Sequence, residues 1–589
     1  MKKFHTFHIP VMGIGYTLDA PLKLAPIGID SVISLVDDIL IERFREMYCL
    51  RSGRPYEEIT DLHEDYRAAR ITAYLDLIDD LIDSEIEKLR GNPEELKRIF
   101  YYLPDESKQR KEFFDIISGK SGLSLNEFVK SNLRKGSVDV NIMTKLDKQN
   151  SRNGSMLPFE YNDAHSALRG FAKSKLESSI VLSAGMNASL YSYISNFEDF
   201  YPDENGKIKK KITLKVSDYR SALIQGKFLA KKGLWVSEFR IESGLNCGGH
   251  AFATDGHLIG PILEEFRDGR EKLTDTLFGI LSKALKLEGK KLPPAAPPVR
   301  VTAQGGVGTP DEHSFLLDQY NLDSIGWGTP FLLVPEITNV DEETLSKLLK
   351  AGEDELYLSG ISPLGIPFNN LRGNTKDREK EAAIKKGEPG SSCPKRFLVS
   401  DTEFTNKALC KASKKYQRLK IEQLKSLDLD ENEFNKRYEK IVEKSCICVG
   451  LGTSALIIHG LNTSVEGDGV SICPGPNMAY YSKKSSLAEM IDFIYGRIRG
   501  LESSCRPSLF LKELMIYIEY LRKSFAESPA SSLEMRKAKL KKFRANILSG
   551  IEYYHNLFKE FGKDLGGSEP LINGLVDCEK RLEEVCPNF

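Results

Sequence analysis

The stretch VRVTAQGGVGTPDEHSFLLDQYNLDSIGWGTPFLL, residues 299–333, decides the fold. It opens with a β-branched run and breaks at Gly305-Gly306. A helical pattern runs over residues 310–320, and a second apolar run follows from residue 323, interrupted by Gly326-Trp327-Gly328-Thr329-Pro330. Strand, glycine turn, helix, strand is one unit of a parallel sheet, because parallel neighbours need a crossover that a helix supplies. The turns Gln304–Thr309 and Gly326–Pro330 each leave backbone N–H groups exposed, and the first feeds a helix N-terminus. Donors of that kind suit an anion, phosphate above all.

Working outward, the same unit recurs upstream. Strand patterns lie at 7–14, 29–36, 137–143, 178–186, 211–216 and 234–241, so with 299–305 and 323–333 there are eight. Continuous β-branched and aliphatic runs such as IDSVISLV are what strands buried on both faces require. From the third strand onward, most are separated by helical patterns. Eight alternations predict an α/β fold, a closed (β/α)8 TIM barrel. An open doubly wound sheet is the runner-up, but GIGYTLDAPLK near residue 13 lacks its glycine fingerprint.

Two blocks exceed a minimal barrel. Residues 37–130 are helical and heavily charged. Within them Ile71, Leu75, Ile78, Ile82 and Leu89 fall at helical spacing, which predicts a helical insertion after strand 2. Beyond about 340 the strand signals fade, and 402–445 and 485–565 read as helical. SPLGIPFNN (362–370) and KKGEPGSSCP (385–394) read as loops at the boundary. The expected division is therefore 1–340 as barrel, with its insertion, and 341–589 as a mainly helical, cysteine-containing extension on or beside it.

Composition bounds the function. Among 589 residues, Lys+Arg 83 against Asp+Glu 84 gives a formal net charge of −1. That balance offers no global attraction to nucleic acid or an anionic membrane. No apolar run is long enough to span a bilayer, and the N-terminal run is broken by His5, His8 and Pro10, so it reads as the first core strand rather than a signal peptide. The expectation is a cytoplasmic protein with reduced thiols.

In a barrel the chemistry gathers at the C-terminal ends of the strands. After strand six comes SGLNCGGHAF (243–252), in which Gly248 and Gly249 let the backbone approach a ligand and His250 follows. Here the chain resembles a known family. GLNCGGH is similar to the double-glycine–histidine motif of nitronate monooxygenases, formerly 2-nitropropane dioxygenases. Residues 299–333 are similar to their two FMN-phosphate segments. The related flavin-dependent enoyl-acyl-carrier-protein reductases share these features. The likeness is clearest over 211–335 and extends weakly to Pro10-Val11-Met12-Gly13 and to Asn141 on strand three.

The resemblance implies a non-covalent FMN on top of the barrel. Its phosphate would lie against Gly305, Gly306, Gly328 and Thr329. Gly248 and Gly249 would pass near the ribityl chain or ring, Met12 and Gly13 would lie beneath the ring, and Asn141 would belong to the flavin site. Lys215 would place positive charge near the N1–C2 edge, and His250 would face the substrate as base or hydrogen-bond donor. The residue after the histidine is Ala251 where the family often has a basic one, and a second histidine, His257, follows one loop later. The implied function is an FMN-dependent oxidoreductase acting on a small organic substrate over the flavin face. One alternative is a flavin-dependent enoyl-thioester reductase drawing on NAD(P)H. An alternative of another class is an FMN-containing partner-binding or redox-sensing protein.

Cys393, Cys410, Cys446, Cys448 and Cys473 crowd the start of the extension. Thiolates brought from separate loops can ligate an iron–sulfur cluster or zinc, so these five are the candidate metal ligands, with buried free cysteine as the other reading. Lys209-Lys210-Lys211 and the Lys-rich run 537–542 read as solvated charge. Tyr480-Tyr481 and Tyr553-Tyr554 read as packing. No G-x-S-x-G elbow is present for a serine hydrolase.

Overall fold

The structure is a computed structural model that describes residues 4–152, 154–183, 185–246, 255–526 and 533–585. Eight strands form its centre: β1 (Phe7–Ile9), β2 (Asp30–Ser34), β3 (Val138–Met143), β4 (Ser179–Ser183), β5 (Lys211–Val216), β6 (Val236–Glu242), β7 (Arg300–Gln304) and β8 (Ser324–Gly326). They pair in parallel in the order β1-β8-β7-β6-β5-β4-β3-β2 and close into a barrel. The fold is therefore the expected α/β barrel.

The outward faces carry the apolar burial. Ile212, Leu214, Phe239, Ile241, Val301 and Ala303 are all buried. The long helix Ile259–Leu287 buries Ile262, Leu263, Phe266, Leu273, Leu277 and Leu281, a 3–4 spacing that keeps one stripe turned inward. Phe239 of β6 meets Phe266 of that helix with ring centroids 6.3 Å apart. Each such side chain contributes roughly 1.5–3 kcal/mol by leaving water.

The inward faces depart from the aliphatic strands anticipated from the sequence. Glu238 and Arg240 of β6, Thr302 of β7 and His8 of β1 are buried inside the barrel, with Arg300 of β7 half-buried beside them. Arg240 Nη2 reaches Glu238 at 2.6 Å and Arg300 Nη1 at 3.1 Å, and the Thr302 hydroxyl donates at 2.8 Å. Burial alone would raise the Glu238 carboxyl, but the two guanidinium charges hold it well below the usual range. Burial and the Arg240 charge push His8 down, so its imidazole is neutral. Alternation explains the departure: in VSEFRIE every second residue from Glu238 is charged, and the apolar ones face the helices.

Five helices lie between β2 and β3: Asp38–Arg51, Tyr66–Arg90, Pro93–Tyr101, Lys108–Ile117 and Leu125–Asn132. Ile71, Leu75, Ile78, Ile82 and Leu89 are all buried, as their spacing predicts. The insertion is tied down by Arg67 and Arg70, both paired to Asp38 just beyond β2. Lys210 corrects the reading of 209–211 as solvated. It is fully buried, and its ammonium group donates to Ser174 O at 2.9 Å and Ser174 Oγ at 3.0 Å. Burial, and next the Lys209 charge, lower its pKa to about 7.

After β8 the chain forms a short antiparallel hairpin, β9 (Leu356–Ser359) and β10 (Phe368–Leu371), so strands do not fade entirely beyond 340. Helices follow, among them Lys414–Lys425, Ile447–Ile458, Leu487–Ile494, Leu509–Ala526, Leu533–Phe561 and Ser568–Val585. Among the described residues no single helix is long and apolar enough to cross a membrane. Lys395 locks this region to the barrel, its Nζ lying 2.5 Å from Asp37 at the end of β2 and 3.2 Å from Glu466, with all three groups buried. Glu513, on helix Leu509–Ala526, accepts from the amides of Ile259 at 2.8 Å and Gly244 at 3.3 Å.

Candidate functional site at the barrel mouth

The C-terminal ends of the strands converge on a cavity of about 120 Å³. Its floor is polar and its roof apolar. The floor comprises Ser34 (β2), Asn141 (β3), Ser183 (β4), Lys215 (β5) and Glu242 (β6). The roof comes from the extension: Leu364, Ile366, Phe368, Leu398, Ile447 and Leu451. The segment 362–370, read from sequence as a boundary loop, thus covers the mouth. A second cleft of about 880 Å³ runs alongside and shares Lys145, Lys215, Glu242 and Asn246 with the first.

Glu242 organises the floor. Its carboxylate pairs with Lys215 Nζ at 2.6 Å and accepts from Gln304 Nε2 at 2.7 Å and from the side-chain amide of Asn246. Gln304 Nε2 also reaches Asn246 Oδ1 at 3.2 Å. Two buried acceptors in this layer, Asn141 Oδ1 and Gln304 Oε1, have no partner among the described residues. An unpaired buried polar atom costs about 1–3 kcal/mol, so two in one layer mark a place for an external donor.

The loops after β7 and β8 leave the same strand ends but line neither cavity. Gly305 and Gly306 both adopt positive φ, 102° and 87°, which only glycine takes without strain. A Cβ at Gly306 would also meet Leu245 Cδ1 at 2.5 Å. Among the described residues, the amides of Gly306, Val307, Gly328 and Thr329 make no hydrogen bond. The extension takes up the other polar atoms of these loops. Asn477 Nδ2 donates to Gly306 O at 2.5 Å, Tyr481 Oη to Gly308 O at 2.7 Å, and Thr329 Oγ1 to Pro474 O at 2.7 Å. Arg506 donates to Gly306 O at 2.6 Å and forms a buried two-pronged pair with Glu312, both contacts at 2.9 Å. Its Nε–H has no partner among the described residues.

The residues expected at the site divide into three groups. Gly13, Asn141 and Lys215 line the cavity together. Met12 does not: its side chain is buried in the core, and Val11 and Gly13 on either side face the space. Gly305, Gly306, Gly328 and Thr329 form the two turns, with Thr329's hydroxyl already spent on Pro474. Gly248, Gly249 and His250, together with Ala251, lie outside the described residues. His257 borders the larger cleft and meets Asn546 Nδ2 at 3.1 Å. Sequence reasoning missed Glu242, Asn246, Asn477, Tyr481 and Arg506. Glu242 was visible in the alternation of Glu238, Arg240 and Glu242. The extension residues carried no local signal.

These groups are of the donor and acceptor types that a phosphate-bearing flavin uses, but the two turns do not line the cavity of about 120 Å³ that Asn141 and Lys215 border. Four unpaired amides on two adjoining turns, with a guanidinium behind them, suit a phosphate. The orphaned Asn141 and Gln304 oxygens suit ring N–H groups. For a metal ion the position is different: among the described residues no group of three or more His, Cys, Asp or Glu is arranged to hold one. Cys473, buried with its thiol raised to about 12 by desolvation, lies against the backbone of Gly13.

The chain matches no family model and no curated protein. Among solved structures it is similar to the enoyl reductase domain of MlnA from the macrolactin biosynthesis cluster from Bacillus amyloliquefaciens, at 12% identity and a TM-score of 0.31, covering 76% of this chain and 88% of that one. A likeness this slight does not bear on function.

Proposed function

We propose that the chain is an FMN-dependent oxidoreductase resembling nitronate monooxygenases, with a small organic substrate held between the polar floor and apolar roof of the mouth. The observation that carries the reading is the set of unpaired amides on Gly306, Val307, Gly328 and Thr329, together with the orphaned oxygens of Asn141 and Gln304. FMN would supply a two-electron carrier. The chain's own residues bind and orient. The four amides hold the phosphate. Asn141 and Gln304 accept from the ring edge. Lys215, fixed by Glu242 at 2.6 Å, sets a positive charge at the floor. The apolar roof excludes water, which strengthens each of these contacts. His250 is the proposed base, on the strength of the double-glycine motif alone.

Absorption spectroscopy of the purified chain tests the cofactor. A flavin spectrum, with FMN rather than FAD released on denaturation, supports the reading, and a colourless chain that takes up no added FMN ends it. His250→Asn should retain flavin and lose on the order of 10² to 10⁴ in turnover. Rapid flavin reduction by NADPH or NADH would assign the enoyl-thioester reductase alternative instead.

A further inference from the structure

Three residues from separate segments meet at the rim of the barrel, beside the ends of β3 and β4. Asp147 follows β3, His165 lies on helix Asp163–Lys173, and Ser189 lies in the first turn of helix Ala188–Ile194 after β4. Ser189 Oγ is 3.2 Å from His165 Nε2. On the other side of the ring, His165 Nδ1 is 2.8 Å from Asp147 Oδ2, close but not well aligned. Hydroxyl, imidazole and carboxylate in that order are a serine nucleophile, its base and the group that orients the base. Contacts of this kind are often loose until a substrate is bound. The sequence has no nucleophile elbow, but a triad is recognised by its geometry and not by its place in the chain.

The fold fixes each member. Asp147 Oδ1 accepts from Ala164 N at 3.0 Å, which ties the carboxylate to the start of the histidine's helix. Asn187 caps the serine's helix by accepting from Leu190 N at 3.0 Å. Its Nδ2 donates to Thr144 O at 3.0 Å and reaches Asp147 Oδ2 at 3.4 Å. Phe159 stands edge-on to the His165 ring with centroids 5.3 Å apart, and Tyr193 flanks it at 5.2 Å. His165 is buried and Ser189 is exposed, so the base is shielded while the nucleophile faces solvent. Burial raises the Asp147 carboxyl, but the contact with His165 outweighs it and leaves the group below its ordinary range. The carboxylate then favours the proton on Nδ1 and leaves Nε2 to accept.

We propose that Ser189, His165 and Asp147 form a second active centre, which hydrolyses carboxylic esters with apolar acyl groups. The acyl preference follows from the neighbours. Phe159 is exposed against the histidine, and Met186, three residues before Ser189, is exposed and lines the cleft of about 880 Å³. Ser189 Oγ attacks the ester carbonyl as His165 Nε2 takes the hydroxyl proton. The bond to the alcohol oxygen then breaks, and the alcohol leaves with that proton, giving an acyl-serine. His165 next takes a proton from water, the hydroxide adds to the acyl carbon, and Ser189 leaves with the proton. In sum, one ester and one water give one carboxylic acid and one alcohol.

The test uses the full-length chain and a fluorophosphonate, which forms an Oγ–P bond to such a serine and expels fluoride. Peptide mass spectrometry should place the adduct on Ser189 and not on Ser192 of the same helix. The chain should also release p-nitrophenol from p-nitrophenyl butyrate, and Ser189→Ala, at an exposed position, should lose that release and keep the fold. His165→Gln should slow phosphonylation at least about 10²-fold. A chain that gains no adduct at Ser189 would overturn the proposal, and so would a folded His165→Gln variant labelled there at the wild-type rate. The adduct is read on the unaltered chain, so this arm decides even if the buried His165 does not tolerate replacement. Flavin takes part in none of these steps. The flavin-free chain should give the same adduct, and a negative result would leave the reading of the mouth untouched.

Discussion

The base and the mouth of the barrel are both polar, and they treat their polar groups differently. At depth, Glu238 is surrounded by Arg240, Arg300 and Thr302, and charge is met by charge, although His8 Nε2 and Thr213 Oγ1 have no partner among the described residues. At the mouth, the Lys215–Glu242 pair is equally tight, yet Asn141, Gln304 and the turn amides are left open. A folded chain tolerates buried ions when they are paired, and it leaves dipoles unpaired chiefly where something else will meet them. The contrast is that the open dipole of Asn141 borders a cavity, which those at depth do not.

The comparison breaks most visibly at Glu238. Glu238→Ala leaves the buried Arg240 and the half-buried Arg300 without their counter-charge. Breaking such a pair costs roughly 3–5 kcal/mol. We expect a loss of that size in chemical denaturation, and little change would mean that water reaches the interior.

Two buried titratable groups sharpen it through pH. Lys210 sits below the barrel, and burial lowers its folded pKa from the ordinary 10.5 to about 7. Between those values the unfolded chain binds a proton that the folded one does not, so stability should rise with pH across that window. Glu513 sits above, raised by burial from 4.5 to about 7. There the folded chain holds the extra proton, so its contribution should fall as pH rises through that range. Each group changes the slope of stability by at most about 1.4 kcal/mol per pH unit. Lys210→Met and Glu513→Gln should each flatten its own window and leave the other intact. If either variant keeps the wild-type slope in denaturation at several pH values, that group is not the source.

The smallest expected effect on stability is at the mouth. Asn141→Leu removes an orphaned acceptor, so the thermal midpoint should hold or rise slightly, whereas FMN affinity should weaken about tenfold, the worth of one lost hydrogen bond at roughly 1.4 kcal/mol. A destabilised Asn141→Leu chain would show that Asn141 is structural and that the mouth resembles the base after all.

The eight strands, the crossover helices, the insertion and the two glycine turns were legible in the sequence because each rests on local periodicity or on a residue type that suits one kind of backbone. Paired glycines at 305 and 306 announce positive φ by residue type alone, and the backbone adopts it at both. The alternation in 236–242 also contained the polar interior, since period two assigns faces, but it does not say which face is inward. Closure decided that. Tertiary structure alone brought Arg506 and Asn477 to the β7 turn, across 200 and 171 residues, and placed the 362–370 loop over the mouth. It likewise buried Lys210 out of a run of three lysines. Contacts at such separations depend on where whole elements pack, and no local pattern of residues encodes that.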